Sequence, residues 1–190
     1  MIVKNGEHRE DRMRKAVLVP IVAVLFVAAT SLTALAAVNV KSLPTATFGS
    51  PDPASVTLTG GNFSGLGSTP AIANLTVTGV ATYTCTNQGG NAAPGQNPVP
   101  ANPGSSGPFN LGNSDHNGRG TITSITASVT APPTPTPQEA GCGGGGSTHW
   151  TVTLNTLTAT AAHLEITEGS TLVFCRNYTL GGPATGTACP

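Results

Sequence analysis

Four cysteines are the residues of this chain best equipped for chemistry: Cys85, Cys142, Cys175 and Cys189. In an oxidising compartment an even number of cysteines predicts two disulfides, and four cysteines allow three pairings. A metal site is less favoured, because no pair shows the close Cys-x-x-Cys spacing of structural zinc sites. Among the pairings we expect Cys85–Cys142, which would tie two long loops together, and Cys175–Cys189, which would pin the C-terminal tail to the last strand.

A calcium loop is a second kind of metal site to consider. Asn113, Asp115 and Asn117 alternate as oxygen ligands do in such loops, and Gly118 follows them. Calcium sites use several carboxylates, yet only Asp115 is charged here, and Ser124 stands where a closing acid would be expected. Asn-Gly pairs also form tight turns. A turn is therefore the favoured interpretation, and the calcium site is a weak candidate.

His163 and Glu165 are a third candidate pair. They are two residues apart on a predicted strand, so both side chains project from its outward face. They could pair with each other or share a metal ion, while a solvated strand face is the ordinary explanation.

Catalytic motifs do not occur in the sequence. There is no Gly-x-Ser-x-Gly elbow, and Glu165 and Glu168 straddle a turn, whereas glycosidases hold two carboxyls across a cleft. Asp115 and His116 are adjacent and would serve a hydrolase, which is the least favoured function. The sequence therefore predicts a protein that is not an enzyme and holds no cofactor.

Aromatic side chains on loops are the groups that would bind a glycan. Phe63 and Phe109 fall in predicted loops and are the candidates for ligand-facing positions, although Phe109 could instead form a short strand with Leu111 or pin the loop to the body. Tyr83, Trp150 and Phe174 are in phase with the inward faces of strands and are expected in the core. A small carbohydrate-binding module is therefore the alternative to a structural or interaction protein, with an unknown protein or glycan as partner.

Charged residues are scarce after Ala36. Three are basic and five are acidic: Lys41, Arg119 and Arg176 against Asp52, Asp115, Glu139, Glu165 and Glu168. A nucleic acid or an anionic membrane surface would need a basic patch. The composition therefore argues against both as partners.

The N-terminus has the order of a secretory signal peptide. A basic cluster ends at Lys15, an apolar run follows over 16–26, and an Ala-Leu-Ala site ends at Ala36. We expect a signal peptide over 1–36, although translation could begin at Met13. An uncleaved membrane anchor is the alternative, since about 20 apolar residues can cross a bilayer.

Alternating apolar and polar residues predict β-strands in the remainder of the chain. The pattern is clearest between Asn74 and Cys85, where Leu75, Val77 and Tyr83 share one face and threonines occupy the other. Period two places Cys85 on the buried face, where a disulfide is expected rather than a reactive thiol.

We expect residues 37–190 to form one secreted domain. Its strands predict an immunoglobulin-like antiparallel β-sandwich of about seven strands, with an open β-barrel as the alternative. Two long loops, 86–118 and 131–147, would interrupt the fold. Because long loops inside a domain often carry function, an interaction would be made there.

Four features occur in order along the middle of the chain: Cys85-Thr-Asn-Gln-Gly-Gly-Asn91, Asn117-Gly118 with a Thr/Ile strand after it, Ala131-Pro-Pro133, and Cys142. In these features the chain resembles a group of small exported bacterial proteins, common in soil actinobacteria and their neighbours, whose function is unknown. The resemblance covers roughly Leu75 to Leu157. It implies export and a disulfide between the two cysteines, and it implies no activity.

Overall fold

β-Strands are the regular elements of the part of the chain that the structure describes. The computed structural model describes residues 38–111, 118–143 and 149–190, whose strands form two antiparallel sheets. Seven strands in these ranges have four or more residues. The predicted all-β, antiparallel fold is confirmed. The expected signal peptide, 1–36, lies outside the described residues, and within them no helix is long and apolar enough to cross a membrane.

The first sheet contains β1 (Asn39–Ser42), β2 (Thr45–Phe48), β3 (Ser55–Ser64) and β9 (Gly120–Ser128). β1 and β2 pair with different halves of one edge of β3, and β9 pairs with the other edge. Gly60 has a positive φ of 81°, a backbone conformation that glycine adopts without strain. The inward face of β3 changes phase there, so that Leu58 and Phe63 are both buried.

The second sheet is built on two long strands, β4 and β10. In spatial order it contains β12 (Thr187–Ala188), β11 (Thr171–Thr179), β10 (Trp150–Glu168) and β4 (Ala71–Asn87). Four short strands follow along the outer edge of β4: β5 (Ala92–Pro94), β6 (Val99–Pro100), β7 (Gly104–Ser105) and β8 (Phe109–Asn110). β4 and β10 pair from end to end, with two register shifts.

The hydrophobic core lies between the two sheets. Leu58 of the first sheet belongs to the same cluster of buried side chains as Leu75 and Leu164 of the second. Phe63 and Phe174 pack edge to face with ring centroids 5.0 Å apart. Each fully buried side chain of this size contributes about 1.5–3 kcal/mol to folding. Two sheets that share a core in this way form a sandwich.

In its described part, 86–111, the segment 86–118 that was expected as a long loop is more ordered than its sequence indicates. From Ala92 to Asn110 it runs back along β4 and contributes β5 to β8. Prolines and glycines interrupt it, so it lacks the period-two alternation by which a strand is recognised in sequence. It is an interrupted edge strand, and its described part is fixed to the sheet.

An asparagine side chain repairs one interruption of this edge strand. The Asn97 amide nitrogen donates to the Tyr83 carbonyl oxygen at 2.7 Å, and the Tyr83 backbone N–H donates to the Asn97 Oδ1 at 2.7 Å. The side-chain amide thus takes the place of a backbone unit in the ladder. A backbone hydrogen bond from the Ala101 N–H to the Gly79 carbonyl oxygen, at 2.9 Å, continues the attachment.

The second expected loop, 131–147, is also held by β4 in its described part. The Tyr83 hydroxyl donates to the Pro132 carbonyl oxygen at 3.2 Å. The Gln96 backbone N–H donates to the Ala140 carbonyl oxygen at 2.7 Å. These bonds join the segment to β4 and to the edge strand that follows it.

Both expected disulfide pairings are formed in the structure. Cys85–Cys142 closes a separation of 57 residues between β4 and the second segment. Its two cysteines are 0% and 3% exposed, and Trp150 and Val152 pack against them. Cys85 therefore lies on the buried face, as its phase predicts.

The second disulfide fixes the C-terminal tail. Cys175–Cys189 joins β11 to the residue after β12, across a separation of 14 residues. Arg176 also holds the tail, because its guanidinium donates to the carbonyl oxygens of Thr185 at 2.6 Å and Gly186 at 2.8 Å. The tail therefore has attachments besides the disulfide.

Candidate functional site

The outward face of the second sheet carries the candidate functional site. In the β10–β11 hairpin His163 is paired with Asn177, and Glu165 is paired with Cys175. Residues two apart on a strand share a face, so these four side chains form one cluster. Cys189 joins the cluster through its disulfide with Cys175.

Hydrogen bonds fix the imidazole of His163. Its Nδ1 lies 2.6 Å from the Asn177 Oδ1, and its Nε2 lies 3.0 Å from the Glu165 Oε1. A carbonyl or carboxylate oxygen only accepts hydrogen bonds, so both ring nitrogens face acceptors. The arrangement therefore suits the doubly protonated imidazolium.

The pKa of His163 is raised above its usual value of 6.5, first by the hydrogen bond to Asn177 and then by the hydrogen bond to Glu165. A raised pKa means that the folded state binds the proton more tightly than the unfolded state. This contribution to stability is complete below the unfolded pKa and is lost as the pH rises through the folded pKa. The side chains of His163 and Glu165 are 40% and 44% exposed, so solvent weakens the pair.

A disulfide sulfur also lies beside the imidazole of His163. The Cys175 Sγ lies 3.7 Å from the His163 Nε2. One donor atom each from His163, Cys175 and Cys189 falls within 4.8 Å of the others, which is a spacing suited to a metal ion. The two sulfurs are bonded to each other, however, and only a thiolate is a strong metal ligand. The oxidised cluster therefore offers a disulfide beside an imidazole.

A groove in the first sheet is a second candidate site. It has a volume of about 570 Å³ and is lined by Lys41, Asn62, Phe63, Ser64, Arg119 and Thr121. Two of the lining side chains are hydrogen-bonded to each other: the Thr121 hydroxyl donates to the Asn62 Oδ1 at 3.0 Å. The Asn62 amide nitrogen also donates to the Ser42 Oγ at 2.6 Å. Most of the lining can form hydrogen bonds.

The two predicted ligand-facing phenylalanines are not exposed platforms. Phe63 was expected on a loop after Gly60-Gly61, but β3 continues to Ser64 and buries Phe63 to 2% exposure. The reason is the phase change at Gly60, which returns the strand to the core. Phe109 lies on β8 and is partly buried against the same core.

Other predicted site residues lie outside the described residues or have structural roles. The calcium candidates Asn113, Asp115 and Asn117 fall outside the described ranges, as does the hydrolase candidate His116. Glu168 lies at the end of β10, where its Oε1 accepts a hydrogen bond from the Gly67 N–H at 2.6 Å.

A register shift explains why the sequence did not indicate the whole cluster. The sequence pointed to His163 and Glu165, but it did not place Asn177 or Cys175 beside them. The shift lies between Ile166 and Thr167 of β10. An unbroken hairpin from the Glu168-Gly169 turn would offset every partner by one residue and turn the sulfur away from Glu165.

Comparisons of the chain with protein-family models, with curated proteins and with solved structures found no match. Function is therefore argued from the chemistry and geometry of the described residues.

Proposed function

We propose that this chain is a secreted or cell-surface protein with a structural or interaction role that is not enzymatic. The observation that carries the proposal is the pair of disulfides in an all-β fold. Such bonds persist in oxidising, extracellular compartments and are rare in the cytosol. The order of charges and apolar residues before Ala36 points the same way.

The arrangement of the described residues supports a durable scaffold. Both segments that the sequence marked as loops are tied to β4 by hydrogen bonds, and the segment 131–147 is also tied by the Cys85–Cys142 disulfide. Hydrogen-bonded segments resist local opening and the proteolysis that follows from it. A protein exposed outside the cell benefits from both properties.

Expression of the full chain and of a variant lacking 1–36 in a bacterial host tests the proposal. The full chain is expected in the medium or at the cell surface, where added protease reaches it, with no thiol that reacts with iodoacetamide. The shortened variant is the matched control and is expected inside the cell. A full chain that stays in the cytoplasm with free thiols would contradict the proposal.

The second candidate function is a small carbohydrate-binding module, and the groove lined by Asn62, Ser64 and Thr121 favours it. Its volume lies in the range of small-molecule pockets, and its amide and hydroxyl groups match the hydrogen bonding of sugar hydroxyls. Phe63 is buried and Phe109 is partly buried, so they do not form the exposed aromatic platform that the sequence predicts for this function.

Retention on a panel of insoluble polysaccharides separates the two functions. Binding that falls roughly tenfold in Asn62→Ala, as expected for the loss of about 1.4 kcal/mol of hydrogen bonding, supports the carbohydrate function. Asn155→Ala, the same change at an exposed position of β10, is the control and should leave retention unchanged. No retention on any polysaccharide favours the first proposal.

A further inference from the structure

The two disulfides of this protein occupy opposite environments. Cys85–Cys142 is buried, with apolar neighbours around it. Cys175 and Cys189 are only half-buried, and His163 lies beside their bond. The Cys85–Cys142 disulfide is therefore shielded from solvent, whereas the Cys175–Cys189 disulfide is accessible and has an imidazole next to it.

The position of the imidazole suits the chemistry of thiol–disulfide exchange. An attacking thiolate forms a bond with one sulfur of a disulfide, and the other sulfur leaves as a thiolate. A nearby cation stabilises a thiolate and so speeds its departure. The His163 Nε2, 3.7 Å from the Cys175 Sγ, can supply that positive charge and then a proton.

We propose that Cys175–Cys189 is a reactive disulfide that exchanges with thiols, and that His163 assists by protonating the Cys175 sulfur as it leaves. The attacking thiolate bonds to the Cys189 Sγ, the bond between Cys175 and Cys189 breaks, and its electron pair stays on Cys175. The Cys175 thiolate takes the Nε2 proton of His163, which water then restores. With a dithiol, the second thiol releases Cys189 as a thiol, so two electrons reduce the protein and the dithiol becomes a disulfide.

Two charged residues, Glu165 and Arg176, lie on the same hairpin as His163, and of the two only Glu165 contacts the imidazole. Glu165 shares its face and accepts a hydrogen bond from the imidazole, which adds to the hydrogen bond to Asn177 in raising the pKa of His163. Arg176 is the neighbour of Cys175 on β11, but its guanidinium is bonded to tail carbonyls at Thr185 and Gly186. On the other side, β4 places the uncharged Thr76 opposite His163.

Hydrogen bonds that hold the C-terminal tail would allow the Cys175–Cys189 bond to open without loss of the fold. Arg176 holds the carbonyl oxygens of Thr185 and Gly186, and the Ala46 N–H donates to the Ala184 carbonyl oxygen at 2.8 Å. None of these bonds passes through a sulfur. Exchange with a dithiol therefore converts Cys175 and Cys189 to thiols, while the core and the Cys85–Cys142 disulfide stay in place.

Timed reduction of the native protein with dithiothreitol, followed by alkylation and peptide mass spectrometry, tests the proposal. Cys175 and Cys189 are expected to become alkylated at least roughly tenfold faster than Cys85 and Cys142. Equal rates for the two bonds, or earlier opening of Cys85–Cys142, would overturn the proposal.

The role of His163 is tested by the pH profile of the rate constant, expressed per dithiothreitol thiolate. In the wild type this constant should fall as the pH rises through the raised pKa of His163, because the imidazolium is lost. His163→Gln should be slower by roughly tenfold at acidic pH and should show a flat profile. His149→Gln, the same change at an exposed histidine before β10, should behave as wild type.

A flat wild-type profile would overturn the role of His163 even if His163→Gln failed to fold. Replacing dithiothreitol by reduced thioredoxin distinguishes a small thiol from a protein thiol as the partner. Faster exchange with thioredoxin at equal thiolate concentration assigns a protein partner, and slower exchange assigns a small one. Exchange with neither reagent would contradict the proposal.

Discussion

A single amide side chain completes the edge of the second sheet. Asn97 both donates to and accepts from the backbone of Tyr83, at a place where the edge segment is interrupted by proline. Asn97→Ala should lower the free energy of unfolding by about 1–3 kcal/mol, because the Tyr83 N–H loses its acceptor, while the Tyr83 carbonyl oxygen keeps only the bond from the Gly95 N–H. Chemical unfolding of the oxidised protein measures the change.

Asn91→Ala is the control for this substitution, because Asn91 is an exposed asparagine in the same segment. Asn91 forms two hydrogen bonds with Asn87, through the backbone N–H and the backbone carbonyl oxygen of Asn91, and alanine retains both groups. Its stability should change by less than about 0.5 kcal/mol. Equal effects of the two substitutions would show that the Asn97 amide does not complete the ladder.

The buried phenol of Tyr178 makes stability depend on alkaline pH. Burial raises the pKa of Tyr178 to about 12. The unfolded chain loses this proton near the usual value of 10, so between these values it binds fewer protons than the folded state, and stability falls as the pH rises. From about pH 9 to about pH 11 the loss should be about 1 kcal/mol.

Unfolding of wild type and Tyr178→Phe at these two pH values measures the effect. The variant lacks the ionisable hydroxyl, which donates to the Pro44 carbonyl oxygen at 3.4 Å, so its stability should change less over the same interval. An identical pH dependence in both proteins would refute the assignment to Tyr178.

At the scale of elements, one glycine lets the edge strand of the second sheet approach the first sheet. A Cβ on Gly104 of β7 would overlap the carbonyl oxygen of Ser128, the last residue of β9. Gly104→Ala should therefore lower the free energy of unfolding by about 1–3 kcal/mol, since the backbones must separate.

Gly89→Ala is the matched control, because the nearest atom to its added Cβ would be the Asn87 Oδ1 at 3.4 Å, an ordinary contact. Thermal unfolding of both variants compares them. A Gly104 variant as stable as the Gly89 variant would contradict the close approach of the two sheets.

Elements with regular alternation could be predicted from the sequence. β4 is the clearest case, since Leu75, Val77 and Cys85 are all fully buried as their phase indicates. The phase change at Gly60 hid the second half of β3, because a pair of glycines is also the usual sign of a strand end. Phe63 was therefore assigned to a loop.

The candidate site could be predicted only in part, because half of it depends on pairing between strands. His163 and Glu165 share a strand, so their common face follows from sequence spacing alone. Asn177 and Cys175 join them through the register of β10 and β11, which includes a shift. A shift of this kind depends on how side chains pack in the folded sheet, and local sequence does not determine it.

Across the whole molecule, two disulfides tie irregular segments to the second sheet: one joins the segment after β9 to β4, and the other joins the C-terminal tail to β11. The separations of 57 and 14 residues correspond to about 4 and about 3 kcal/mol of loop-closure stabilisation. Disulfides of this kind are typical of proteins in oxidising compartments. The accessible disulfide beside His163 is the part of this scaffold that thiol chemistry can reach.

The intact mass of protein recovered from the culture medium shows whether the chain is exported and oxidised. The predicted result is the mass of residues 37–190 less four hydrogens, which reports both export and two disulfides. A protein that remains inside the cell, or one in the medium that carries all four thiol hydrogens, would contradict the account.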